Sequence, residues 1–140
     1  MVERTSYIDV NTFVYWLGNH PSFGKPAYRW IKRVEKAPRG EYITSSLTLY
    51  EVLIIVAGLT GRSLKDKKLV EEVIDSMIGL KGLSIEALKS EDFVKAIELM
   101  EQYGIDYEDA LHLTVALRKG AKEIISNDED FDKTHLTRAF

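Results

Sequence analysis

Four acids in this 140-residue chain stand where an acid needs a reason. Asp9 closes the short run "TSYID", and Glu51 is the one charged side chain in "SSLTLYEVLIIVAGL". Asp109 lies in "DYEDALHLTVALRKG", and Asp128 follows "KEIIS" after a single Asn. A charge in an apolar setting is costly unless it is paired, bound to a metal or neutralised. Carboxylates gathered in one place raise each other's proton affinity unless a cation sits among them. An all-oxygen set suits a hard ion, Mg²⁺ or Mn²⁺, with waters completing the shell. Such ions polarise phosphoryl oxygens and generate hydroxide, so phosphodiester hydrolysis is the reaction class that converging acids would serve.

Convergence depends on the elements that carry them. "TSYID" and "EYITS" are β-prone runs, "GLSIEAL" is a third, and "KEIIS" is a fourth. Between them lie helical patterns. "NTFVYWLG" has Asn11 as its cap, "AYRWIKRVEKA" is amphipathic, and Ser46 caps the apolar segment. "SLKDKKLVEEVIDSMIG" repeats apolar residues at helical spacing, and "SEDFVKAIELMEQYG" and "DYEDALHLTVALRKG" each open on Ser or Asp and close on Gly. The order βααβααβααβ predicts an α/β/α arrangement with a short, mostly parallel sheet covered on both faces. Ligands of such sheets bind beyond the carboxyl ends of the strands. Asp9, Glu51 and Asp128 are expected at that edge, whereas Asp109 opens the helix before the last strand and is placed there less directly.

Plainer uses exist for each acid. Asp9 and Asp128 suit Asx-turns after strands. Asp109 stands three residues after Asp106, the spacing of a capping pair. Glu51 lies beyond the reach of capping or dipole effects, and its alternative is a buried pair with a Lys or Arg. His112 shares a helix face with Asp109 and reads as a helix histidine satisfied by a neighbour.

Composition narrows the function classes. The chain is 45% hydrophobic and 29% charged, with a formal charge of −3, so a globally basic nucleic-acid binder is excluded and any polyanion site is local. No cysteine is present, which removes disulfide and thiolate chemistry. One domain over residues 1–140 is expected. The most apolar stretch, residues 47–59, is too short to cross a bilayer, and no signal-like run opens the chain, so a cytoplasmic location is expected.

Together "YIDVN", "SLTLYE", "YEDALHLTVA" and "IISNDEDF" resemble the PIN-domain family, in particular the single-domain VapC-like toxin ribonucleases. The resemblance runs from the first strand to residue 131. It implies an α/β/α sandwich and Mg²⁺- or Mn²⁺-dependent cleavage of RNA, with Asp9, Glu51, Asp109 and Asp128 as the catalytic, metal-binding acids. Asp130 and Asp132 crowd Asp128, and Asp130 is the alternative fourth ligand. Asn11 and Ser126 match positions that orient the acids through hydrogen bonds. Val10 departs from the Ser or Thr frequent in the family. The resemblance also implies a homodimer and a VapB-like antitoxin partner, while some related proteins act in RNA processing.

RNA held near an acidic site needs cations close by. Arg29, Lys32, Arg33 and Lys36 on the second helix are candidates, as are Lys65, Lys67 and Lys68. Tyr15, Trp16 and the apolar helix read as core, with dimer contacts as their other use. A haloacid-dehalogenase-like phosphatase, with Asp9 as nucleophile, is a weaker match because Asn11 replaces the required acid. A catalytically silent binding module is the remaining alternative.

Overall fold

The computed structural model describes residues 4–140. Strands β1 (Ser6–Ile8), β2 (Tyr42–Ser45), β3 (Leu83–Glu86), β4 (Glu123–Ile125) and β5 (Thr137–Ala139) form one sheet in the order β3-β2-β1-β4-β5. Every neighbouring pair is parallel. The helices are α1 (Val10–Leu17), α2 (Gly24–Lys36), α3 (Ser46–Thr60), α4 (Lys67–Ile78), α5 (Ser90–Tyr103) and α6 (Tyr107–Arg118), with a 3-10 turn at Glu129–Lys133.

Adjacent strand residues point to opposite faces, and the core divides accordingly. Ile8 and Ile125 pack with α1 to α4 residues such as Phe13, Ile31, Val52 and Met77. Tyr7, Ile43 and Ile124 pack with Ala96, Leu99 and Leu113 of α5 and α6. The sheet therefore lies between two helical layers, the α/β/α sandwich expected from the strand and helix order. Close packing shows at Gly82, where a Cβ would fall 2.1 Å from the Val34 carbonyl oxygen, so only glycine lets the end of α2 meet the start of β3.

Several boundaries differ from expectation. β5 has no counterpart in the sequence reading, because "TRA" is only three residues long with no apolar alternation. The first helix is capped by Asp9, whose Oδ1 accepts from Val10 N at 2.8 Å, and Asn11 lies inside it. Ser45 occupies the cap position of α3, and Ser46 Oγ instead accepts from Leu88 N at 3.0 Å. α3 is also not enclosed on all sides. Val52, Leu53, Val56 and Ala57 are buried, while Tyr50, Ile54, Ile55 and Leu59 face outward.

β2 and β4 flank β1 on opposite sides, so the strand order reverses there. A crevice opens at such a switch point beyond the strand ends. Asp9 follows β1, and Asp128 lies three residues past the end of β4.

Candidate active site

Asp9, Asn11, Asp109 and Asp128 line one cleft of about 210 Å³, together with Glu108, Val10, Val14 and Ile55. Ser126, at the end of β4, organises two of the acids. Its hydroxyl donates to Asp9 Oδ2 at 2.7 Å and accepts from Asp128 N at 3.0 Å. Asn11 Nδ2 reaches the same Ser126 oxygen at 3.4 Å, and Asn11 Oδ1 accepts from Asn127 N at 3.3 Å. The strand ends β1 and β4 are thus cross-linked by hydroxyl and amide groups that hold the Asp9 carboxylate and the backbone leading to Asp128.

The turn roles read from the sequence are present as well. Asp9 caps α1, and Asp128 Oδ1 accepts from Asp130 N at 2.9 Å to start the 3-10 turn. At α6 the capping is one-sided. Asp106 Oδ1 accepts from Asp109 N at 2.8 Å, and among the described residues no donor reaches the Asp109 carboxylate. Capping therefore explains Asp106 and leaves Asp109 unexplained. The Asp109 side chain is buried, and burial together with the charges of Asp128, Asp106, Asp9 and Glu108 pushes its pKa up to about 7. Burial also raises the pKa of Asp9, against the opposing field of His112.

Glu51 stands outside this cleft lining and faces His112. Its Oε1 lies 2.6 Å from His112 Nε2. The Tyr7 hydroxyl donates to Ser45 Oγ at 2.9 Å, which leaves its oxygen to accept from His112 Nδ1 at 2.7 Å. An ionised carboxylate only accepts, so the arrangement favours a ring that donates from both nitrogens, the positively charged form. Burial works against that charge, but the Tyr7 oxygen, Glu51 and Asp9 outweigh it and hold the His112 pKa well above the ordinary histidine value. The partner of Glu51 is thus a histidine from α6 rather than the expected lysine or arginine. Glu108, four residues before His112, joins this group, and burial and the neighbouring Glu51 push its pKa up to about 7. Sequence reasoning missed Glu108. The i,i+4 spacing to His112 on one helix was the available signal.

The donor chemistry fits a divalent cation. One ligand atom each from Asp109, Asp128 and Asp130 lie within 4.8 Å of one another, and the same holds for Glu51, Glu108 and His112. Asp9 belongs to neither triplet, yet its charge acts on both Asp109 and His112, which places it close to both. Asp130 is exposed and pairs with Lys133 at 3.5 Å, so Asp128 is the more enclosed of the two.

The basic candidates disperse. Arg29 and Arg33 border a small cleft with Phe140. Lys32 sits over the Tyr28 ring, Lys36 lies with Glu35 and Lys81 near the start of β3, and Lys67 pairs with Glu71.

The chain belongs to the PIN-domain family, whose model matches residues 6–135. Among solved structures it is similar to VapC20 of Mycobacterium tuberculosis, a sarcin-ricin-loop-cleaving toxin, with a TM-score of 0.72 and 16% identity over 91% of this chain and 93% of that one. VapBC2 from Rickettsia felis, bound to a promoter DNA fragment, matches with a TM-score of 0.66 and 23% identity over 96% and 97% of the two chains. A toxin-antitoxin complex from Klebsiella pneumoniae matches at 0.61 and 20%, over 91% and 90%. These likenesses establish the fold. No curated protein sequence matches the chain significantly. Family membership sets aside the phosphatase reading, and Asn11 is engaged in holding the β4 loop rather than placed as an acid or base.

Proposed function

We propose that this chain is a Mg²⁺- or Mn²⁺-dependent endoribonuclease and the toxin of a VapBC-type pair, acting as one domain in the cytoplasm. The observation that carries this reading is the cleft in which Asp9, Asp109 and Asp128 meet without a lysine or arginine paired to any of them among the described residues. Asp109 and Asp128, with Asp130 at the outer rim, would hold the ion, and Glu51 with Glu108 offers a second set of donors. When bound, the ion would polarise a phosphodiester and lower the pKa of a water.

The chain's own groups prepare the site. Ser126, supported by Asn11, holds the Asp9 carboxylate and the Asp128 backbone, and the Asp130 N–H holds the Asp128 carboxylate. His112 balances the charge of Glu51 and orients it, and Tyr7 and Ser45 anchor the ring from behind. Asp109, left without a donor and raised by burial and its acidic neighbours, is an acid whose ionised form gains from a cation. The outward residues Tyr50, Ile54, Ile55 and Leu59 of α3 support a homodimer, and the VapBC relatives support a VapB-like antitoxin as partner.

The test is cleavage of end-labelled single-stranded RNA with Mn²⁺ or Mg²⁺ and with chelator, beside an Asp9→Asn control. Metal-dependent cuts absent from the control are expected. Absence of both cuts and any Mn²⁺-induced rise in melting temperature would favour the silent binding module.

A further inference from the structure

The surface that continues from the acidic cleft past Asn127 is built from rings and unpaired arginines. Tyr15, His20, Phe23 and Phe140 form one aromatic cluster, with the His20 and Phe23 rings stacked at 5.0 Å and 27°, and Phe140 edge-on to Tyr15 at 5.7 Å. Phe23 is 36% exposed. Phe140 also closes a cleft of about 170 Å³ with Pro26, Arg29, Trp30 and Arg33, which contains no acid.

Two separate links tie this cluster to the proposed metal site. Asn127, immediately before Asp128, donates from Nδ2 to the Tyr15 hydroxyl at 3.3 Å. Ser126, which holds Asp9, donates its N–H to the Ala139 carbonyl at 2.9 Å, one residue before Phe140.

The arginines set this patch apart. Arg4, Arg62, Arg118 and Arg138 pair with carboxylates, and Arg39 donates to the Leu83 carbonyl. Arg29 and Arg33 have no carboxylate or carbonyl partner among the described residues, and Arg33 lies 4.4 Å over the Trp30 ring. On a chain of net charge −3, two guanidinium groups without a carboxylate partner, beside half-exposed rings, complement a phosphate backbone with an unpaired base. An acidic peptide would use the arginines but leave the rings without a role.

We propose that Phe23, Phe140, Arg29 and Arg33 form a shelf that holds a single-stranded segment of RNA next to the scissile bond, a base against the rings and the flanking phosphates on the arginines. This rests on the ribonuclease reading. It implies that the cut lies beside an unstacked base, since a base paired in a duplex cannot reach a ring.

The experiment is steady-state cleavage of single-stranded RNA in Mn²⁺ by the wild type, Arg29→Ala/Arg33→Ala, Phe140→Ala and Lys95→Ala, with melting temperatures as a folding control. KM should rise about five-fold or more in the arginine and phenylalanine variants at unchanged kcat. The slope of log kcat/KM against log salt should flatten by about 0.7 for each phosphate that the variant no longer neutralises. Lys95→Ala, on α5 in the other helical layer and paired with Glu98, should match the wild type. Unchanged KM in the arginine variant, or an equal rise in Lys95→Ala, overturns the shelf while leaving the nuclease intact. A rise confined to the arginine variant, with Phe140→Ala unchanged, overturns base stacking and leaves the arginines as phosphate contacts alone. A wild type that cuts no RNA under any metal removes the ribonuclease reading and the shelf with it.

Discussion

Two buried aspartates in this molecule receive opposite treatment. Asp92 of α5 is 2% exposed and Asp109 of α6 is 7% exposed. Asp92 accepts from Arg118 Nε at 2.9 Å and Nη2 at 2.8 Å, and from Lys89 N at 2.8 Å. Although burial works to raise it, these donors hold its pKa below the usual carboxylate value. Asp109 has no such donor, and burial and acidic neighbours push it up to about 7. The fold brings an arginine from the end of α6 to one aspartate and surrounds the other, at the start of the same helix, with carboxylates. A buried charge that the fold neutralises itself is structural, whereas one left for an outside cation marks function.

The largest expected effect falls on activity. Asp109→Asn or Asp9→Asn should fold and lose metal-dependent RNA cleavage by about two orders of magnitude or more, because several kcal/mol of charge stabilisation depend on the site. Retained cleavage, measured on end-labelled RNA, removes that residue from the active site. Next in size, Arg118→Ala should destabilise the protein by about 3 kcal/mol in urea titration, since it strands the Asp92 charge, with kcat preserved. A loss of activity at unchanged stability would reverse the roles assigned to the two aspartates.

A smaller effect sharpens the contrast. Mn²⁺ at about a hundred times its dissociation constant should add roughly 2.7 kcal/mol of stability. That gain should persist in Arg118→Ala and vanish in Asp109→Asn, as read by melting temperature. A gain that survives in Asp109→Asn would shift the metal to the group formed by Glu51, Glu108 and His112.

The parts of this site that follow from local pattern were legible. Strand-end acids and the order of helices come from period and connectivity, and they placed Asp9 and Asp128 at one edge. What stayed hidden depends on contacts between distant segments. The Glu51–His112 bond spans 61 residues, and the Tyr7–His112 bond spans 105. No spacing rule along the chain reports either. Phe140 joins Tyr15 and Phe23 only because β5 adds a parallel strand at the sheet edge, and three residues with little apolar pattern do not announce a strand. Glu108 was masked by its neighbour, since an acid in a first helical turn already has a dipole role.

The last effect is the dependence of stability on pH in the absence of metal. Asp109 has a folded pKa of about 7, well above the carboxyl's unfolded value near 4. Between those limits the folded state holds more protons than the unfolded one, so its contribution is present at low pH and is lost as pH rises from about 4 through about 7. Glu108, also pushed to about 7, has the same sign. Asp92 has the opposite sign, because its folded pKa is depressed, and its contribution is lost as pH falls below about 4. Urea titrations in chelator should therefore show stability declining from about pH 5 to about pH 7.5, with Asp109→Asn flattening the decline and Arg118→Ala leaving it in place. Mn²⁺ should also flatten it, because a bound cation lowers the pKa of its ligands. A decline that Asp109→Asn leaves unchanged would mean that the acids of the cleft reach water freely and are not held in the strained, cation-seeking state that separates them from Asp92.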